Sequence, residues 1–258
     1  MLKENTIFGV KDKTNIAIER LLKYEPKEGY YLAFSGGKDS VVIYDLALKA
    51  GVNFDAHYNI TTVDPPELVK FIKKEYPQVK RHQPEKTMWK LIVENGMPPL
   101  RWMRYCCRIL KERGGDGRVV ISGIRAGESS RRAKRDEHEI ISGDCYSRGK
   151  TMVNPIIDWT EQEVWEYIKQ NSVSYCSLYN EGWKRLGCVC CPNANQIKQA
   201  ERWPKIANAY KRACVKALEK AKSEGKKRTW KSGEEMFEWW ISGQPGNKNL
   251  KMQERLFD

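Results

Sequence analysis

The chain has 258 residues, a formal charge of +13 and eight cysteines, enough for one medium domain or a domain with an appendage. No apolar run approaches the roughly 20 residues that cross a bilayer, and the polar first 13 residues do not read as a secretory signal; no membrane role is expected, and the expected location is cytoplasmic. Cytosolic reductants keep thiols reduced, so metal ligation or sulfur chemistry is the expected use of the cysteines rather than structural disulfides. The basic residues concentrate at 131–135 and 220–231, a balance that suits a polyanionic ligand or simply a solvated surface.

In chain order, residues 14–24 read as a helix with Ile16, Ile18, Leu21 and Leu22 toward one side, and 30–34 as a strand. Residues 40–50 form a helix closed by Gly51, 54–60 the next strand, and Asp64-Pro65-Pro66 opens a helix through Tyr76, since proline fits a first turn. Residues 87–94 and 102–112 look helical, and 119–124 is a buried-strand candidate. The Arg-, Ser- and Gly-rich stretch 125–155 reads as a long functional loop with short strands. Thr160 caps a helix through Lys169, with Glu163 completing a capping box. The second cysteine group lies in a loop, followed by a long basic helix over 195–223 and a short aromatic helix over 233–241. Short apolar runs alternating with amphipathic segments predict an α/β fold, an open parallel sheet with helices on both faces, plus a helical C-terminal appendage. The expected division is a nucleotide-binding domain at 1–192 and the appendage at 193–258.

Ser35-Gly36-Gly37-Lys38-Asp39-Ser40 falls where a strand turns into a helix. Such a turn gathers free backbone N–H groups at the positive helix end and favours phosphate. Gly36 and Gly37 allow close backbone approach, while Ser35 and Ser40 add hydroxyls and Lys38 a charge. The spacing is not that of a Walker A loop. It resembles the SGGxDS pyrophosphate loop of the adenine-nucleotide alpha-hydrolase superfamily, which includes ATP pyrophosphatases, tRNA-thiolating enzymes and sulfonucleotide reductases.

Cys106-Cys107 and Cys188-Val189-Cys190-Cys191 are separated by 80 residues, and Arg104, Arg108, Lys184 and Arg185 lie close to them in sequence. Four thiolates from separated segments suit an iron–sulfur cubane, and they also suit tetrahedral zinc. The pattern resembles the cluster signature of the phosphoadenosine-phosphosulfate (PAPS) reductase family. That resemblance implies a [4Fe-4S] cluster on Cys106, Cys107, Cys188 and Cys191, beside the phosphate loop. Cys190 is left to replace Cys191, to carry a persulfide or to pack; Cys145, Cys176 and Cys214 are expected to be buried and inert.

The stretch from Gly123 to Arg132 resembles the family's arginine-bearing element after a strand, which implies nucleotide contacts from Arg125, Glu128, Ser129 and Arg132. Asn154-Pro155-Ile156-Ile157-Asp158-Trp159 and the approach to Cys188 also resemble the family, over residues 28–195. The implied ligand is ATP, adenylyl sulfate or PAPS, with Mg2+ as a candidate counter-ion and Lys38, Asp39, Arg125 and Cys190 as candidate catalytic residues. The family's reductases carry a nucleophilic cysteine in a C-terminal Glu-Cys-Gly-Leu-His-like tail, which is not found at 251–258. The favoured expectation is therefore ATP-dependent sulfur transfer, in which ATP is cleaved between its α- and β-phosphates. The alternative is a reductase making sulfite, and the third reading a nucleic-acid-binding module with a regulatory nucleotide site. A nucleic acid, a sulfur-donor protein and a second copy of the chain are the candidate partners.

Overall fold

A computed structural model describes residues 2–6, 9–128, 140–142 and 150–243. Two compact units emerge, each assembled from separate stretches of chain. The first comprises Met1–Ile60, Pro66–Gln83 and Glu112–Gly187; the second comprises Thr61–Pro65, Pro84–Lys111 and Cys188–Asp258. Compactness groups both of these cysteine-bearing segments, around 106–107 and 188–191, with the C-terminal helices.

The first unit opens with a hairpin, β1 (Lys3–Thr6) and β2 (Gly9–Asp12), in a stretch given no structure from sequence. Asp12 then caps α1 (Lys13–Lys23), its carboxylate accepting from the Thr14 and Asn15 amides. The main sheet has the order β5-β4-β3-β6-β8-β7. Its members are β3 (Tyr30–Ala33), β4 (Phe54–Asn59), β5 (Lys80–His82), β6 (Val119–Ile121), β7 (Ile140–Ser142) and β8 (Thr151–Val153). Five strands run parallel, and β7 pairs antiparallel with β8 at the edge. The α/β architecture expected from the alternating pattern is the one found. Its crossovers are α2 (Lys38–Ala50) between β3 and β4, and α3 (Pro66–Glu75) between β4 and β5.

Helix α2 ends because Gly51 adopts φ 70°, letting its N–H return to the Leu48 carbonyl. Tyr30 donates its hydroxyl to the Leu21 carbonyl and ties β3 to α1 at 2.7 Å. Helix α5 (Glu161–Gln170) carries the expected Thr160/Glu163 capping box. Glu163 also accepts from Lys13 Nζ at 2.7 Å, joining α5 to α1 inside the core. Along β4 and β5, Asp55, His57 and His82 form a polar layer. His57 Nε2 meets Asp55 at 2.6 Å, His57 Nδ1 meets His82 at 2.7 Å, and Arg118 closes on Asp55 at 2.6 Å. Hydrogen bonds from Arg118, Lys80 and His57 outweigh burial and hold the Asp55 carboxyl down at about 2.

The second unit contains α4 (Met88–Asn95), α6 (Gln196–Arg202), α7 (Pro204–Ser223) and α8 (Gly233–Ile241). Helix α7 packs on α4 and α8; Gly233 lies so close to α7 that a Cβ there would stand 2.3 Å from Val215 Cα. The expected single helix over 195–223 is two helices, because Pro204 cannot continue the hydrogen-bond ladder and Trp203 leaves helical geometry (φ −126°, ψ 65°). The helix expected over 102–112 is correspondingly short. Only residues 105–111 are helical, with a wide π-type turn at Cys107–Lys111. The strand expected over 119–124 stops at Ile121, and no helix among the described residues is long and apolar enough to cross a membrane.

Candidate functional site

In the first unit the chain leaves β3 for β4 and β5 on one side, whereas β6 and β8 lie on the other. The ends of β3 and β6 therefore flank a topological switch point, the place where open α/β sheets bind ligands. Residues 35–40 follow β3, and residues 122–128 follow β6. They touch: a Cβ on Gly123 would stand 3.1 Å from the Asp39 backbone.

Gly36 has φ 72°, and a Cβ there would meet Ile72 Cδ1 at 2.7 Å and Leu68 Cδ1 at 2.8 Å. Glycine is required on both counts, conformation and space. Gly37 is the N-cap of α2 and supplies no side-chain cap, so the helix end keeps amides for an incoming anion. The Ser40 hydroxyl donates to the Gly37 carbonyl at 2.8 Å and accepts from Ser35 Oγ at 3.2 Å. Lys38 is buried, with Nζ 3.5 Å from Asp39 and 3.6 Å from Glu161. Its backbone N–H donates to the Tyr179 hydroxyl at 2.8 Å.

Tyr179 received no role from the sequence. Its neighbourhood explains its position, since Trp165 packs edge-on at 5.0 Å and burial raises the phenol so that it stays protonated. A phenol accepting from the loop still has its own proton to donate. The signal available in sequence was only the Leu178-Tyr179 pair in the approach to Cys188.

Arg125, expected to reach phosphate, is buried with Nε on Asp39 Oδ1 at 2.6 Å and Nη1 on the Trp159 carbonyl at 3.4 Å. In this geometry the pair clamps the start of α2 to the loop after β6. Glu128 is exposed at the end of a short 3-10 turn, Ala126–Glu128. Ser129, Arg132 and Cys145 lie outside the described residues.

In the second unit, the cysteine turn is held on several sides. Val189 N donates to the Val63 carbonyl at 2.8 Å, Tyr210 Oη to the Val189 carbonyl at 3.2 Å, and Arg101 Nε to the Pro192 carbonyl at 2.8 Å. Residues 61–65 form a tight support: Thr62 has φ 67°, and Asp64 accepts from the Thr61 amide at 2.9 Å. Cys190 adopts φ 56°, is wholly buried, and points its sulfur at the Gln196 carbonyl. Burial, with Cys191 nearby, pushes its thiol up to about 12, the opposite of an activated nucleophile.

Cys106, Cys107, Cys188 and Cys191 come within electrostatic reach of one another. The Cys107 hydrogen bond, then burial, then the charges of Cys107, Cys188 and Cys191 all raise Cys106. Burial lifts Cys188 to about 11 although the Lys111 ammonium opposes it. In return Cys188, Asp64, Cys107 and Cys191 raise Lys111. Among the described residues no three His, Cys, Asp or Glu side chains are drawn together tightly enough to cage a metal ion. The donor chemistry nevertheless fits a thiolate-ligated centre: Cys106 and Cys188 are both raised, and a bound cation would offset the negative charge of their thiolates.

Residues 29–194 match the family profile described as the phosphoadenosine phosphosulfate reductase domain. The chain belongs to this family. An adenosine 5'-phosphosulfate reductase of Oceanobacillus iheyensis is 31% identical over 196 residues, covering 70% of this chain and 79% of that protein. An uncharacterized protein of Methanocaldococcus jannaschii is 30% identical over 210 residues, covering 71% of this chain and 42% of its own length. This PAPS reductase family chain thus spans less than half of that relative. Among solved structures, a phosphoadenylyl-sulfate reductase from Candida auris in a phosphate complex aligns with a TM-score of 0.49 and 18% identity, over 67% of this chain and 87% of that one.

Proposed function

We propose that this chain is an adenine-nucleotide enzyme of sulfur metabolism, with residues 35–40 binding the nucleotide phosphates and Cys106, Cys107, Cys188 and Cys191 holding a [4Fe-4S] cluster. The observation that carries the nucleotide reading is the glycine loop at the sheet's switch point, in a chain of this family. Backbone amides at the start of α2, with Ser35, Ser40 and Lys38, meet phosphate oxygens. Asp39 and Arg125 position that loop, and Glu128, Ser129 and Arg132 are further candidates for the nucleotide. Cys106, Cys107, Cys188 and Cys191 would hold the cluster, which would supply iron–sulfur chemistry.

The reaction we favour is ATP-dependent sulfur transfer. An acceptor oxygen attacks the α-phosphorus, the α–β bond breaks, and pyrophosphate leaves. A sulfide equivalent from an external donor then displaces AMP. Three further thiols favour this route by being poorly placed for attack. Cys176, Cys190 and Cys214 are buried, and burial raises each of them. The second reading, reduction of adenylyl sulfate or PAPS to sulfite, is favoured by relatives named adenosine 5'-phosphosulfate reductase.

The test is to offer ATP and adenylyl sulfate in parallel to anaerobically purified protein. Pyrophosphate from ATP without sulfite supports the first reading; sulfite from adenylyl sulfate replaces it with the second. About four irons per chain are expected, and iron-free, zinc-loaded protein would overturn the cluster.

A further inference from the structure

Just before Cys106 the second unit builds a turn that holds a tryptophan in solvent. Leu100 N donates to the Met103 carbonyl at 3.1 Å and closes the turn. Its base is anchored by buried Leu100 and Tyr105, by Tyr105 Oη on the Met97 carbonyl at 2.7 Å, and by Arg101 Nε on the Pro192 carbonyl. At the tip Trp102 is 64% exposed. A rigid turn that spends its anchors on keeping an indole in water is an unusual surface feature, since large aromatic rings are mostly covered.

Every charged residue from 100 to 111 is basic. Arg101 and Arg104 flank Trp102 and are exposed, and Arg108, one helical turn beyond Arg104, is exposed as well. The basic run 226–228 reaches the same stretch. Arg228 lies over Gly96, where a Cβ would be 2.3 Å from Nη2, and Trp240 Nε1 donates to the Pro99 carbonyl at 2.7 Å. Lys227 stands exposed beside it, and Lys226, also exposed, pairs with Glu224 at 2.9 Å. An exposed aromatic face within a field of cations is the chemistry that holds unpaired bases and their phosphates: the ring stacks on any base, and the cations neutralise the backbone.

We propose that the turn at residues 100–103 is a single-stranded polynucleotide site, with Trp102 as the stacking platform and Arg101, Arg104 and Arg108 meeting phosphates. The site stands on this surface and not on which nucleotide reaction the enzyme performs. An acidic protein would also be drawn to the cations but would have no use for the presented ring.

Fluorescence anisotropy of the full chain tests it, with fluorescein-labelled single-stranded RNA, the DNA of the same sequence, a duplex, heparin and an acidic polypeptide. Single strands should bind with affinity that falls steeply as salt rises. Trp102→Ala should weaken that binding about tenfold, Trp102→Phe should restore most of it, and heparin affinity should stay unchanged. The RNA and DNA arms identify the sugar preferred. ATP binding in the absence of polynucleotide, measured on the same Trp102→Ala protein, should equal wild type, so a failed site and a failed nucleotide reading give different results. Three results would overturn the proposal: no single-strand binding at low salt, single-strand binding indifferent to Trp102→Ala, or an acidic polypeptide that binds with the same dependence on Trp102.

Discussion

Gly36 carries two constraints at one atom, so its substitution is the sharpest test of the phosphate loop. Alanine there must adopt φ 72° and push into Leu68 and Ile72. Backbone strain and overpacking together should cost about 2–4 kcal/mol, read as a lowered denaturation midpoint along with lost nucleotide binding. At the cysteines, the buried sulfur of Cys190 and the half-buried one of Cys191 predict opposite results. Cys190→Ala should keep the iron and lose about 1 kcal/mol of packing, whereas Cys191→Ala should emerge from anaerobic purification without it. Iron assay and visible absorbance separate the two. Arg125→Ala strands Asp39 beside buried Lys38 and should cost about 3 kcal/mol. A double-mutant cycle with Asp39→Asn, followed by urea denaturation, should return a large coupling energy for the pair.

Among the elements, α5 shows local sequence dictating structure. Thr160 and Glu163 are three residues apart, both capping hydrogen bonds form, and Thr160→Ala should cost about 1 kcal/mol in a thermal or urea melt. This is also where the sequence was most legible. Strands β3 and β4, helix α2 with its Gly51 stop, and the capping box are written in neighbouring residues, as is the glycine loop. What stayed hidden depends on distant partners. The hairpin β1–β2 is polar and has no periodic apolar face to betray it. Strand β5, Lys-Arg-His, exists because β4 offers an edge. Trp203-Pro204 interrupts a basic pattern whose helical periodicity reads straight through. Nor can sequence reveal that Asp39 and the Trp159 carbonyl hold Arg125. Tyr179, on the Lys38 amide, lies 141 residues away from it in the chain.

At the scale of the molecule, acid is the expected weakness. Glu163 is held down at about 2 although burial alone would raise it, chiefly by Lys13 and the Thr160 amide. Asp55 is held at about 2, and burial lowers His57. All three bind more protons when unfolded, so stability falls as pH drops below about 6.5 for His57 and through the carboxylate range toward 2. The Glu163 shift alone corresponds to about 3 kcal/mol. Urea midpoints for wild type and Glu163→Gln should therefore differ widely at pH 7 and converge near pH 2. Iron removal should act on one unit: hydrogen exchange should rise in Pro84–Lys111 and around Cys188, while strands β3, β4 and β6 keep their protection. The interleaving of the two units also sets a timetable. Cys106 and Cys107 leave the ribosome first, and the whole of Glu112–Gly187, which belongs to the other unit, must follow before Cys188 exists. At about 5–20 residues per second, the first two thiols wait for several seconds or more without their partners. During that interval a nascent chain offers an exposed vicinal dithiol to oxidants and stray metals.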